Sequence, residues 1–124
     1  MAKHFLFLAG LSGLLAVAIG AFGAHGLKSK IDAEMLVVFQ TGVQYHFYHT
    51  FALAVVALVL FKFPQASIFH WAGFAFLLGM LLFSGSLYAM ALGGPRWLGL
   101  VTPLGGLSFM VGWLCLLLGA SRLT

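Results

Sequence analysis

Four long apolar stretches separated by short polar connections organise this chain, at residues of about 5–24, 43–61, 68–92 and 98–118. Each is long enough to cross a bilayer, whose hydrocarbon core takes about 20 helical residues. The stretches are continuous rather than alternating and are rich in Leu, Ala, Gly and Phe, so the pattern predicts helices and not the strands of a barrel. The expected fold is an all-α integral membrane protein, an up-down bundle of four transmembrane helices forming one domain over residues 1–124.

Polar and conformationally special residues punctuate the pattern. Gly26, followed by Lys28-Ser29-Lys30, is expected to close the first helix as its C′ residue. Ser29 or Asp32 can cap the second helix, with Glu34 suited to its positive end, so this helix is expected to begin near residue 32 and run to Phe61, before Pro64. Ser67 is the expected cap of the third helix, and Gly93-Gly94-Pro95 its end. Thr102-Pro103 reads as N-cap and N1 of the fourth.

Small residues recur at steps of three and four within the spans. They are Ala9, Gly13, Ala16, Gly20 and Gly23 in the first, Ala72, Ala75, Gly79, Ser86, Ala89 and Gly93 in the third, and Gly105, Ser108, Gly112, Cys115 and Gly119 in the fourth. That spacing gathers each set on one helix face. Lipid supplies no hydrophobic drive for helices to associate, so close backbone approach across such stripes is the expected source of packing energy, in a tight left-handed bundle. One stripe is available for contacts between subunits.

Composition agrees: 63% of residues are hydrophobic and 6% charged, too little polar surface for a water-soluble fold. Formal charge is +4, but the six Lys and Arg stand singly at span ends and form no patch for nucleic acid. They fall three to a side, with Lys3, Lys62 and Arg122 opposite Lys28, Lys30 and Arg96, so the positive-inside rule does not choose an orientation. Lys3 beside the first span favours cytoplasmic termini. Cys115 is the lone cysteine and makes no intramolecular disulfide or cysteine cluster.

In up-down order, the end of the first span, the start of the second, the end of the third and the start of the fourth meet the same leaflet. The distinctive polar residues lie there. His25, Gln44, His46, His49, Ser84, Ser86 and Tyr88 are the candidate site, joined by Thr102, and are expected to line a half-depth cavity that binds a solute. Against this, hydroxyls in membrane helices commonly bond their own backbone or a neighbouring helix, and His25 suits a headgroup position. His46 and His49 are three residues apart, about 60° around a helix, and with His25 they could hold a metal or haem. No carboxylate lies within a span to complete a metal shell or act as general base, and no nucleophile elbow is present. No cofactor and no enzymatic activity are therefore expected.

Several motifs together, Phe22-Gly23-Ala24-His25-Gly26, Thr41-Gly42 with Tyr45-His46 and His49, Leu82-Phe83-Ser84-Gly85-Ser86-Leu87-Tyr88, Thr102-Pro103-Leu104-Gly105-Gly106 and Gly112-Trp113, resemble the YgdD-like family of small bacterial inner-membrane proteins, domain of unknown function 423. The resemblance covers essentially the whole chain in order. It implies a four-helix protein of the inner (plasma) membrane and brings no assigned catalytic residues. The functional expectation is a homo-oligomeric channel or transporter for a small polar solute such as an amino acid or metabolite. The alternatives are a scaffold or assembly factor for a partner membrane protein, and haem or metal binding.

Overall fold

A computed structural model describes residues 1–123, and these form four long apolar helices in up-down order. They are α1 (Ala2–Leu27), α2 (Ala33–Lys62), α3 (Ser67–Ala91) and α4 (Arg96–Ser121), each of membrane-spanning length and apolarity. Thirty residues at 1.5 Å per residue make α2 about 45 Å long, so it outreaches the hydrocarbon at its ends.

Local chemistry sets most of the boundaries. Asp32 caps α2, its Oδ1 accepting the Met35 N–H at 2.8 Å, with Glu34 in the first turn and Lys62 in the last. At the end of α3 the Gly94 N–H donates to the Ala89 carbonyl at 2.7 Å and the Gly93 N–H to that of Met90 at 3.2 Å. This Schellman closure requires a left-handed residue, and Gly93 takes it with φ 103°.

Three expected boundaries differ. Gly26 is not a left-handed cap, because α1 runs through a right-handed π-turn over Gly23–Leu27 and closes past it at Lys28. Ser67 lies inside α3, whose cap position is Ala66 and carries no side-chain bond. Thr102 is the first residue of the α-helical part of α4, after a 3₁₀ turn at Arg96–Leu100, and its hydroxyl meets Ser86 instead of capping the turn.

The helices lock together through aromatic rings seated on glycines. A Cβ on Gly112 would come 2.6 Å from the Phe76 ring and one on Gly119 2.7 Å from Phe69, and one on Gly79 would run into the Phe109 ring. These contacts join α3 to α4, and Gly105 is as tightly placed, facing the Phe83 backbone nitrogen rather than a ring. Between α1 and α2, Gly13 faces Thr50, Gly20 faces Val43, and Gly23 lies beneath the Phe39 ring. The α1 and α4 stripes are thus spent inside the chain rather than left for a second copy. Helices α1 and α4 pack chiefly on α2 and α3 respectively, while the central α2 and α3 pack on each other and are the more buried pair. Exposed Phe7, Leu14, Leu81, Leu100 and Met110 face outward, as lipid contact requires.

Candidate functional site

Antiparallel packing brings a Ser, a Thr, a His and a Tyr from three helices together about halfway along α1 and α2. His46 of α2 has its Nδ1 2.9 Å from the Tyr88 hydroxyl of α3 and its Nε2 2.9 Å from Ser12 Oγ of α1. Ser12 is in turn 2.6 Å from Thr50 Oγ1, and Thr50 donates to the His46 carbonyl at 2.8 Å. The Met80 sulfur lies 3.5 Å from Ser12 Oγ and is a weak additional acceptor. Beside this chain Ser84 donates to the Gly42 carbonyl at 2.7 Å, tying α3 to the α2 backbone.

The second helix 2 histidine belongs to a different interface. His49 Nδ1 donates to the Tyr45 carbonyl at 2.8 Å, and Nε2 accepts the Trp113 Nε1–H of α4 at 3.0 Å. Its ring lies flat on Phe109, with centroids 3.5 Å apart and planes 6° from parallel.

The seven expected residues therefore do not share one cavity. His46, Ser84 and Tyr88 face the α1/α3 side, His49 faces α4, and Ser86 bonds the Phe83 carbonyl and Thr102 between α3 and α4. His25 and Gln44 are exposed. The physical reason is that α2 has neighbours on several sides, so the 60° between His46 and His49 is enough to change partners. Ser84 and Ser86 lie about 200° apart on their helix and point oppositely for the same reason. In the register that sets Gly20 on Val43 and Gly13 on Thr50, His25 sits roughly 12 Å of helical rise from His46. A metal or haem shared by His25 with His46 or His49 is thus not assembled, both ring nitrogens of His46 and His49 are engaged, and no group of three or more His, Cys, Asp or Glu among the described residues is placed to hold a metal.

Ser12, Thr50 and Trp113 belong to these clusters and escaped the candidates. Ser12 lies between Ala9 and Ala16 on the small-residue face of α1, and that placement was the available signal. Trp113 follows Gly112, whose close approach to α3 brings the indole within reach of His49.

A cleft opens above the His46 chain. It has a volume of about 440 Å³ and lies between α1 and α3. Leu8, Leu11, Leu15, Leu77 and Leu81 wall it, and Ser12, His46, Met80, Ser84 and Tyr88 contribute to its floor. Leu11, Leu15 and Leu81 are exposed at the rim, so the cleft opens sideways to lipid. A second groove of about 380 Å³ lies between α2 and α4, lined by Tyr45, Tyr48, His49, Phe109 and Trp113 among others.

The fold and these buried polar clusters define a small four-span helical membrane protein. The family described as "Protein of unknown function (DUF423)" matches residues 19–106. The UPF0382 membrane protein YwdK of Bacillus subtilis is 44% identical over 120 residues, covering 97% of this chain and 98% of that protein. The UPF0382 inner membrane protein YgdD of Escherichia coli K12 is 43% identical over 122 residues, covering 98% and 92%. The UPF0382 membrane protein SSP2132 of Staphylococcus saprophyticus is 39% identical over 121 residues, covering 98% and 99%. The chain belongs to this DUF423 family, and it is a multi-pass protein of the inner membrane. No solved structure matches it.

Proposed function

We propose that the protein is a membrane-embedded binding protein for a small, lipid-soluble amphipathic molecule that enters the α1/α3 cleft sideways from the bilayer. One observation carries this reading: a lateral cleft of about 440 Å³ with leucine walls and a floor of Ser12, His46, Ser84 and Tyr88. Its volume lies in the range of small-molecule sites, and its few convergent polar groups would orient a ligand whose remainder stays in lipid. The role is one of binding rather than catalysis.

The homo-oligomeric channel or transporter for a small polar solute has less in its favour. The polar side chains are divided among three interfaces and bond to one another or to backbone, and no buried side-chain nitrogen or oxygen among the described residues lacks a partner. A water-filled path would need such groups free to replace a solute's hydration.

Gly85 provides the test, because it lines the cleft and a Cβ there meets no atom within 4 Å. Gly85→Leu adds bulk to the cleft lining, and its Cβ meets no neighbour. Lipid extracts of the purified protein are compared by mass spectrometry with those of Gly85→Leu and of Gly10→Leu, which also adds bulk in open space but away from the cleft. A small amphipathic molecule enriched in wild type and Gly10→Leu and lost from Gly85→Leu supports the reading. Equal lipid content in all three, or solute uptake into proteoliposomes that Gly85→Leu leaves unchanged, overturns it. A partner membrane protein, the scaffold alternative, would instead co-purify intact and depend on the same residue.

A further inference from the structure

The hydrogens in the His46 chain can be counted, and the count specifies the ligand. Four short contacts follow one another: Tyr88 Oη to His46 Nδ1, His46 Nε2 to Ser12 Oγ, Ser12 Oγ to Thr50 Oγ1, and Thr50 Oγ1 to the His46 carbonyl. A neutral imidazole offers one hydrogen and each hydroxyl one, four in all. With the proton on Nε2, every contact receives one: Tyr88 donates to Nδ1, Nε2–H to Ser12, Ser12 to Thr50, and Thr50 to the carbonyl.

The opposite tautomer fails. With the proton on Nδ1 facing Tyr88, Ser12 must donate to Nε2, and Thr50 then has one hydrogen for two contacts. Either the 2.6 Å Ser12–Thr50 pair or the 2.8 Å Thr50–carbonyl pair is left as oxygen against oxygen, a buried mismatch of the costly kind. A second proton on the ring would put an unpaired charge about halfway along α2, since both carboxylates, Asp32 and Glu34, stand at the start of α2.

In the surviving arrangement the hydroxyls that line the cleft have all spent their hydrogens. Tyr88 donates to His46, Ser12 to Thr50, and Ser84 to the Gly42 carbonyl. Ser84 is sealed at 1% exposure, while the half-buried Ser12 and Tyr88 each keep at least one lone pair. The floor accepts hydrogen bonds and offers none, so a carbonyl, ether or carboxylate head would meet lone pairs. We infer that the cleft selects a neutral lipid-soluble molecule with a hydroxyl head, a long-chain or isoprenoid alcohol or a hydroquinone, over the matching aldehyde, ether or quinone. This rests on the binding reading above and names the chemistry of its ligand.

The test has two independent readouts. In protein carrying ¹⁵N-histidine, with His46→Phe used to assign the signal, nitrogen NMR in lipid should show His46 protonated on Nε2 alone; protonation on Nδ1, or on both nitrogens, overturns the inference without touching the binding reading. In nanodiscs, binding of farnesol is compared with that of farnesyl methyl ether and farnesal. The alcohol should bind roughly tenfold tighter, the size of one net hydrogen bond. Equal binding of all three that Gly85→Leu abolishes would keep the cleft as a binding site and overturn its selectivity. Failure of all three to bind overturns both readings for this ligand class.

Discussion

Trp113 Nε1–H donates to His49 Nε2 at 3.0 Å while His49 Nδ1–H donates to the Tyr45 carbonyl, so both nitrogens of this imidazole are committed. The carbonyl can only accept, which places the His49 proton on Nδ1, the reverse of His46. Two histidines three residues apart on one helix are therefore held in opposite tautomers by different neighbours. The Trp113 bond and the Phe109 stack together hold α4 against α2.

Removing that donor leaves Nε2 unpaired in an aromatic pocket. Trp113→Phe should destabilise the protein by about 1–3 kcal/mol, the cost of an orphaned buried acceptor plus lost indole packing. Trp71→Phe, at an exposed position, should change stability by less than about 0.5 kcal/mol. Denaturant unfolding of purified protein in mild detergent measures both. In a double-mutant cycle with His49→Phe, the two changes should fall short of additive.

The ring-on-glycine contacts give a sharper contrast. Gly112→Leu must displace the Phe76 ring, 2.6 Å from where its Cβ would lie, and overpacking of this kind costs about 1–3 kcal/mol or more. Gly10→Leu meets open space and Leu117→Ala removes an exposed side chain, so both should unfold close to wild type. Because the α4 stripe is an interface within the chain, the loss should appear in the unfolding midpoint of the isolated polypeptide. Wild-type stability for Gly112→Leu would reject the stripe as a packing surface.

Topology is tested from outside the membrane. The α1–α2 and α3–α4 connections lie at the same end of the bundle, where Leu27, Phe39 and Ala91 share a small apolar cluster. In a background lacking Cys115, single cysteines at Ser29 and Arg96 should react with an impermeant thiol reagent from the same side of the membrane. A cysteine at Lys62 should react from the other. Opposite accessibility of Ser29 and Arg96 in a uniformly inserted population would contradict the up-down order.

The sequence displays helices far more openly than it displays neighbours. Span positions, the Asp32 cap, the Gly93 closure and the gathering of small residues on helix faces are properties of one helix at a time, written in local spacing. The partition of polar residues is not local. Whether His46 and His49 share a surface depends on how many helices surround α2, and no spacing within α2 states that. The π-turn at Met80–Ser84 was equally hidden: it breaks the regular stripe of α3 just where Met80 and Ser84 reach the cleft. Ser12 looked like an ordinary small residue because its importance lies in a histidine 34 positions away.

A matched pair of threonines on α2 separates local from networked bonding. Thr41 and Thr50 both donate to the carbonyl four residues back, at 2.9 Å and 2.8 Å. Thr41 has no further side-chain partner described and is the more exposed, whereas Thr50 is buried and also receives the Ser12 hydroxyl. Thr→Val preserves shape and deletes the hydroxyl. At residue 41 it removes a bond that competes with the helix's own backbone pairing and should alter stability by less than about 0.5 kcal/mol. At residue 50 it removes the oxygen that accepts the Ser12 hydrogen, which must then turn to the Met80 sulfur or drive His46 into its other tautomer, and should cost about 1–2 kcal/mol. Thr50→Ser, which keeps both bonds and loses only a methyl group, should recover most of that loss. Equal effects of Thr→Val at the two positions would show that the Tyr88–His46–Ser12–Thr50 chain does not act as a unit.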